Sequence, residues 1–246
     1  MINRPIGTVY DALLRDAIHR YLPNKYRIAA GVWVKDRALL DLTTDDPDYK
    51  AGLIDAIHEC VDDGDRVELV GLGRGVSTIN CLRAGADTVV AYEASAEMID
   101  VARETLRTNY YDGGTVDIRH ALVGDSVCVY GAFDDAEMVP PADLGVCDVL
   151  IMDCEGAEES IVAGLDRWPR HTIIETHPER GVPTEAILEE IPAEMDVYVF
   201  EYEPENPKDK KVIVAANPRR VRTPSIQRRY RSGRLALATA SDSGAG

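Results

Sequence analysis

Two rhythms of hydrophobic and polar positions alternate along the chain. Largely apolar runs at 67–70, 88–93, 115–121, 146–152 and 171–175 have the length and β-branched content of buried strands. Between and after them, residues 76–84, 96–109, 158–165 and 184–191 read as helices. Ser95 and Thr184 are placed to cap two of these helices, and Gly85 and Asn109 to stop two. Strands alternating with helices predict an α/β fold, a mostly parallel, doubly wound sheet covered on both faces. Two last strands, 196–202 and 211–215, joined by a proline-rich turn, predict an antiparallel pair. Ahead of this pattern, Leu13, Leu14, Ala17, Ile18 and Tyr21 form a helical stripe over 10–21, which Pro23 ends. Residues 28–34 and 38–42 predict a hairpin around Lys35-Asp36-Arg37, and Asp46-Pro47 the start of a helix that runs to Val61. Residues 127–130 read as an extra strand, and the acidic, proline-bearing 133–144 as a loop.

The pattern gains chemistry at Gly71-Leu72-Gly73-Arg74-Gly75, between a strand and a helix. Glycine there tolerates positive φ and lets a ligand approach the backbone. The helix that follows offers unpaired N–H groups and a positive dipole end to a phosphate or carboxylate. A nucleotide-type cofactor site is expected, the plain alternative being a turn that merely packs. A dinucleotide fingerprint would read G-x-G-x-x-G; here the third glycine comes one residue early, at Gly75. The next strand ends in Glu93, 18 residues after Gly75 and followed by Ala94. An acid at that place can accept both ribose hydroxyls; otherwise Glu93 is a solvated loop carboxylate. The loop glycines, Glu93, Asp125, Asp153 and His177 all follow predicted strands, so they converge on one rim beyond the strands' carboxyl ends.

Composition narrows the setting. The formal charge of the 246 residues is −16. Seven arginines and one acid from Asn217 onward carry +6, leaving −22 on the rest, and lysine is scarce, six against 25 aspartates. A dense acidic, lysine-poor surface keeps a protein soluble in concentrated salt, so a halophilic source is expected. Such a body argues against a long nucleic-acid groove, which needs Lys and Arg to neutralise phosphate. The exception is the segment with Arg219, Arg220, Arg222, Arg228, Arg229, Arg231 and Arg234, suited to the acidic body, a partner or an anionic polymer. No apolar run reaches the ~20 residues of a membrane span, and the first residues lack a signal-peptide core. A soluble, cytoplasmic chain is expected. Five cysteines stand apart from one another with no C-x-x-C pair, which predicts buried thiols rather than disulfides or zinc.

G-x-G-x-G resembles motif I of S-adenosylmethionine-dependent methyltransferases. Together with Val76-Ser77-Thr78, Val90-Ala91-Tyr92-Glu93 and Ala121-Leu122-Val123-Gly124-Asp125, it makes the chain resemble the FkbM family of these enzymes. Most specific is Asp148-Val149-Leu150-Ile151-Met152-Asp153-Cys154-Glu155-Gly156-Ala157-Glu158, similar to that family's I-D-x-E-G-x-E signature. Ile173-Ile174-Glu175-Thr176-His177-Pro178 resembles its E-x-H segment, and the match covers 67–178. Two departures stand out. Leu69 rather than an acid lies two places before the first glycine, with Glu68 one earlier, and Gly73 stands where the family often has asparagine.

The resemblance implies a Rossmann-like class I methyltransferase domain over 67–216, preceded by a cap over 1–66 and followed by an arginine-rich tail over 217–246. It implies S-adenosylmethionine as cofactor, with Gly71, Gly73 and Gly75 around its methionine moiety. Backbone N–H groups near Ser77 and Thr78 would take its carboxylate, and Asp153 would also belong to the cofactor site. Glu93 would hold the ribose, and Ala94 would also belong to the cofactor site. Asp125 would lie near the adenine, an ordinary turn aspartate being the alternative. Methyl transfer is an in-line displacement from an activated donor, so alignment supplies much of the catalysis. A hydroxyl acceptor must also lose its proton to a base within hydrogen-bond reach. Asp153, Glu155, Glu175 and His177 are the candidates, although a histidine before proline is often only a loop residue. Asp153 and Glu155 could instead hold Mg²⁺; nothing in the sequence demands a metal, and none is assigned. Glu158 is expected to serve a helix N-terminus. The acceptor implied is a hydroxyl, or a carboxylate, on a glycan, lipid or small metabolite. RNA or nucleoside methylation through the arginine tail, and a scaffold without catalysis, are the alternatives.

Overall fold

A computed structural model describes residues 25–36, 45–111, 114–124, 135–144, 146–201 and 210–220. The expected helix over 10–21, the strands over 38–42 and 127–130, Asp125, and the arginines from Arg222 onward lie outside these residues.

Eight strands form the main sheet: β4 (Arg66–Val70), β5 (Thr88–Glu93), β6 (Val116–Val123), β7 (Glu137–Val139), β8 (Val149–Met152), β9 (His171–Glu175), β10 (Asp196–Glu201) and β11 (Lys211–Ala216). Their order is β10-β11-β9-β8-β4-β5-β6-β7. Every pair from β9 to β7 is parallel, whereas β11 runs antiparallel to both β9 and β10. The expected α/β sheet and its antiparallel last pair are both present. The helices are α1 (Ala51–Cys60), α2 (Val76–Ala84), α3 (Ala96–Thr108), α4 (Glu158–Ala163) and α5 (Thr184–Glu190).

Successive side chains in a strand point to opposite faces, and here both faces are buried. Leu69, Ile151, Ile173 and Val214 pack with Leu53 and Ile57 of α1, Ile79 of α2, and Ala102 and Leu106 of α3. Val70, Met152, Ile174 and Ile213 pack on the other face with Ile161 of α4 and Ile187 of α5. Each Leu or Ile so buried contributes about 1.5–3 kcal/mol, which is why these runs read as continuous rather than alternating. At the amino-terminal ends of the central strands, Arg170, just before β9, grips Asp65, just before β4, through two hydrogen bonds.

The N-terminal segment departs from expectation. β1 (Lys25–Ala29) and β2 (Val32–Asp36) form a hairpin that turns at Ala30 and Gly31, not around Lys35-Asp36-Arg37. Ala30 and Gly31 take φ of 46° and 74°, the backbone of a tight two-residue turn. Beyond the turn, buried Val32 and Val34 alternate with exposed Trp33, so the strand continues through the charges. Asp46 does not cap a helix. It lies in β3 (Asp45–Asp46), parallel to β1, and its carbonyl accepts from the Ala30 N–H at 2.9 Å. α1 starts five residues later, behind Lys50 at φ 50°.

Three smaller corrections follow. β7 occupies part of the stretch expected to be a loop. Thr184 opens α5 as its first residue rather than capping it, and its hydroxyl bonds the Thr176 hydroxyl at 3.2 Å. Among the described cysteines, Cys60 and Cys81 are buried, Cys147 and Cys154 half-buried, and all four are unpaired thiols.

Candidate functional site

The parallel strands reverse their order between β4 and β8, the place where open α/β sheets leave a crevice for ligands. The glycine loop opens there. A side-chain carbon on Gly71 would lie 2.0 Å from the Asp153 carbonyl oxygen, so only glycine fits between the two loops. Gly75 takes φ 82° as the cap residue of α2. A carbon added to Gly73 meets nothing within 4 Å, so this part of the loop faces open space. Behind it, the buried Thr78 hydroxyl has no hydrogen-bond partner among the described residues.

Glu93, the last residue of β5, turns toward this loop. One carboxylate oxygen accepts the Gly73 N–H and the other the Ser95 N–H, each at 3.0 Å. Each oxygen retains a lone pair for a further donor. Burial pushes the Glu93 carboxyl up, against the N–H bonds from Ser95, Gly73 and Ala94. Ser95 caps α3 as expected, its hydroxyl accepting the Met98 N–H. Ala94 is buried, and its carbonyl accepts a hydrogen bond from His120 Nε2 at 2.9 Å. Glu68 is buried within β4, and burial first, then the Glu68 charge, raises the Tyr92 and Cys147 groups, so the loop glycines rather than this acid form the rim.

A second group forms at the tips of β8 and β9. Asp153 and Glu175 both bind the ammonium of Lys50, Glu175 at 2.7 Å and Asp153 more closely. His177 is fully buried, with Nδ1 2.6 Å from Glu158 Oε1. Its Nε2 lies 3.6 Å from Asp153 Oδ1 and 3.9 Å from Glu155 Oε1. Glu155, at φ 57°, sits at the edge of this group, with one oxygen taking two bonds from the Arg180 guanidinium at 3.0 and 3.1 Å.

The charges are interlocked. Burial raises the Asp153 carboxyl well above its ordinary range, and the Glu175 charge adds to this. Burial would raise Glu175 too, but the Lys50 ammonium and the Asp153 hydrogen bond outweigh it and hold Glu175 below the usual carboxylate range. For Lys50, burial opposes the charge, yet Asp153 and Glu175 outweigh it and its pKa is raised. Glu175 thus balances Lys50, and Asp153 is the more basic of the two carboxylates.

All four proposed acid–base residues therefore meet on one rim, beside the glycine loop and Glu93. Lys50 escaped the sequence reading. Its one signal is that it stands as a rare lysine in an acidic stretch, 103 positions before Asp153. Glu158 heads α4, in the first turn where it was expected. It does more than favour a helix end, since its Oε1 accepts the Cys154 N–H at 3.3 Å and bonds His177. The hairpin lies close by, with Arg74 of the loop donating to the Lys35 carbonyl at 3.1 Å.

No family model matches the chain. Over 148 residues it is 28% identical to "Probable protein arginine N-methyltransferase 6.1" of Oryza sativa subsp. indica, covering 58% of this chain and 34% of that one. The japonica counterpart matches at the same identity. The chain thus spans about a third of the length of these curated relatives. Among solved structures it is similar to a precorrin-6y C5,15-methyltransferase of Geobacter metallireducens GS-15, with TM-score 0.48, 13% identity, and coverage of 72% and 90% of the two chains. It is also similar to an rRNA methylase of Streptococcus thermophilus, with TM-score 0.47, 12% identity, and coverage of 70% and 96%. Among the described residues no helix is long and apolar enough to cross a membrane. Over 148 residues of its sequence, the chain is similar to probable protein arginine N-methyltransferases.

Proposed function

We propose that the chain is an S-adenosylmethionine-dependent methyltransferase that acts on a hydroxyl, or a carboxylate, of a glycan, lipid or small metabolite, in the manner of the FkbM family. The observation that carries this reading is the adjacency of two half-sites. Gly71 packs on the Asp153 backbone, so a loop suited to a nucleotide cofactor and a buried acid–base cluster share one wall. The cofactor supplies a methyl group already activated on a sulfonium. The residues present fit it: the Gly73 edge is open, Thr78 has an unused buried hydroxyl, and Glu93 has free lone pairs for two ribose hydroxyls.

The chain's own part is to hold the acceptor and take its proton. Asp153 suits that task best. Burial raises its carboxyl above the ordinary carboxylate range, which strengthens it as a base. Glu175 is committed to Lys50, Glu155 to Arg180, and His177 lies behind Asp153 with no exposed surface. Lys50, less than a quarter exposed, faces the same place and can steady the oxygen as it becomes negative.

Calorimetry on the full chain should give saturable binding of S-adenosylmethionine and S-adenosylhomocysteine. Methyl-labelled cofactor, incubated with separated glycan, lipid and metabolite extracts, should then leave label in an RNase-resistant fraction. Binding without label would favour a scaffold, and RNase-sensitive label would favour an RNA acceptor. Absence of binding would overturn the reading altogether.

A further inference from the structure

We propose that Asp153, Glu175 and His177 form a site for a divalent transition-metal ion, whose place the Lys50 ammonium fills. Each of the three offers one ligand atom, and these atoms lie within 4.8 Å of one another. Ligands held about 2.0–2.2 Å from a common ion are at most about 4.4 Å apart, so a contraction of a few tenths of an ångström closes the set.

Acid clusters alone do not make a metal site. Here the deciding group is the imidazole. His177 is fully buried, and its Nε2 has no hydrogen-bond partner among the described residues. The nearest carboxylate oxygens, of Asp153 and Glu155, are 3.6 and 3.9 Å away, beyond hydrogen-bond reach. Nδ1 lies against Glu158 Oε1 and Nε2 faces the cluster; in the tautomer with its proton on Nδ1, Nε2 offers the cluster a lone pair. A carboxylate that orients a histidine in this way is the usual support behind a metal-binding imidazole. A buried Nε2 lone pair facing carboxylate oxygens is unfavourable unless a proton or a metal ion lies between them, and a metal ion would draw all three ligands together.

The cation already present is an ammonium. Lys50 bonds Asp153 and Glu175, whereas His177 Nε2 has no hydrogen-bond partner among the described residues. A metal ion would bind all three. One imidazole with two carboxylates suits Mn²⁺ or Zn²⁺ better than Mg²⁺ or Ca²⁺, which favour oxygen alone. Binding of the ion stands independently of the proposed methyl transfer. Its use rests on that reading: the ion would hold an acceptor with neighbouring oxygens and ease loss of its proton, while Asp153 keeps one oxygen free.

The test uses Mn²⁺ as probe, on the full chain without cofactor, in excess Mg²⁺ to occupy the acidic surface. Electron paramagnetic resonance should detect one Mn²⁺ per chain, bound at least ten-fold more tightly by Lys50→Ala than by the parent. Electron spin-echo modulation should show coupling to an imidazole nitrogen, absent in His177→Gln. A folded Lys50→Ala chain that binds no Mn²⁺ above the Mg²⁺ background, or binds it no more tightly than the parent, would overturn the proposal. So would bound Mn²⁺ lacking nitrogen coupling, a readout on the parent and Lys50→Ala that does not depend on His177→Gln folding.

Discussion

Replacing Lys50 by methionine removes the ammonium that Asp153 and Glu175 share while keeping the aliphatic bulk. Two buried carboxylates then face each other, and the folded variant must hold one proton more than the parent. An unfolded carboxyl titrates near about 4, so that uptake costs about 1.4 kcal/mol for each pH unit above it. At about pH 7 the loss is about 4 kcal/mol, within the ~3–5 kcal/mol found when one partner of a buried pair is removed. The 23% exposure of the Lys50 side chain argues for the lower part of that range, because water already screens the pair. The sign is fixed by linkage. A carboxyl whose folded-state pKa is raised makes the folded chain bind more protons than the unfolded one, so stability falls as pH rises through the gap. The parent–variant difference should therefore shrink from about 3–4 kcal/mol at about pH 7 to about 1.4 kcal/mol at about pH 5. Urea unfolding at these two pH values measures it. A difference that stays constant with pH, or falls below about 1 kcal/mol at about pH 7, would refute the shared-charge account.

Four further outcomes follow from the geometry. Gly71→Ala places a methyl group 2.0 Å from the Asp153 carbonyl at φ 89°. It should lose about 3 kcal/mol of stability in denaturant titration, since overpacking and left-handed backbone each cost about 1–3 kcal/mol. Glu93→Ala removes a charge-assisted acceptor, and calorimetry should show S-adenosylmethionine binding about 10- to 100-fold weaker; unchanged affinity would displace Glu93 from the cofactor. In a Cys128→Ser background, a thiol reagent at about pH 8 should react only after denaturation. Burial raises Cys60, Cys81 and Cys154, and pushes the Cys147 thiol up to about 12. Finally, if the excess of acids reflects a halophilic source, the melting temperature should climb as KCl rises from about 0.1 M to about 3 M; a flat response would remove that reading.

What could be read from the sequence was local and apolar. β4, β5, β8 and β9 are runs buried on both faces, and their tips carry the glycine loop, Glu93, Asp153 and Glu175 in positions that follow from the runs themselves. What could not be read depends on distant partners or on edges. β7 is three residues long with two of them exposed, so it has no apolar signature. β3 consists of two aspartates held by backbone bonds to β1 and an Arg27–Asp46 ion pair, and side-chain chemistry made Asp46 resemble a helix cap. Lys50 reaches Asp153 across 103 residues of intervening chain, and no spacing rule links them. Glu158 and His177 meet only because the chain passes through α4 and β9 between them. The sequence thus located the rim, while the counter-ion and the imidazole support needed the fold.

The missing side chain at Gly71 has a mechanical consequence. With nothing to cushion the contact, the phosphate-type loop and the first carboxylate of the acid cluster behave as one rigid hinge pin. The Gly71 N–H is tied to Tyr92 and the Asp153 N–H to Val70, so neither strand tip can slide alone. Whatever seats itself against the loop sets the stance of the carboxylate, and whatever grips the carboxylate sets the stance of the loop. Donor and acceptor should therefore report on each other's arrival, each altering the other's dissociation constant by the same factor.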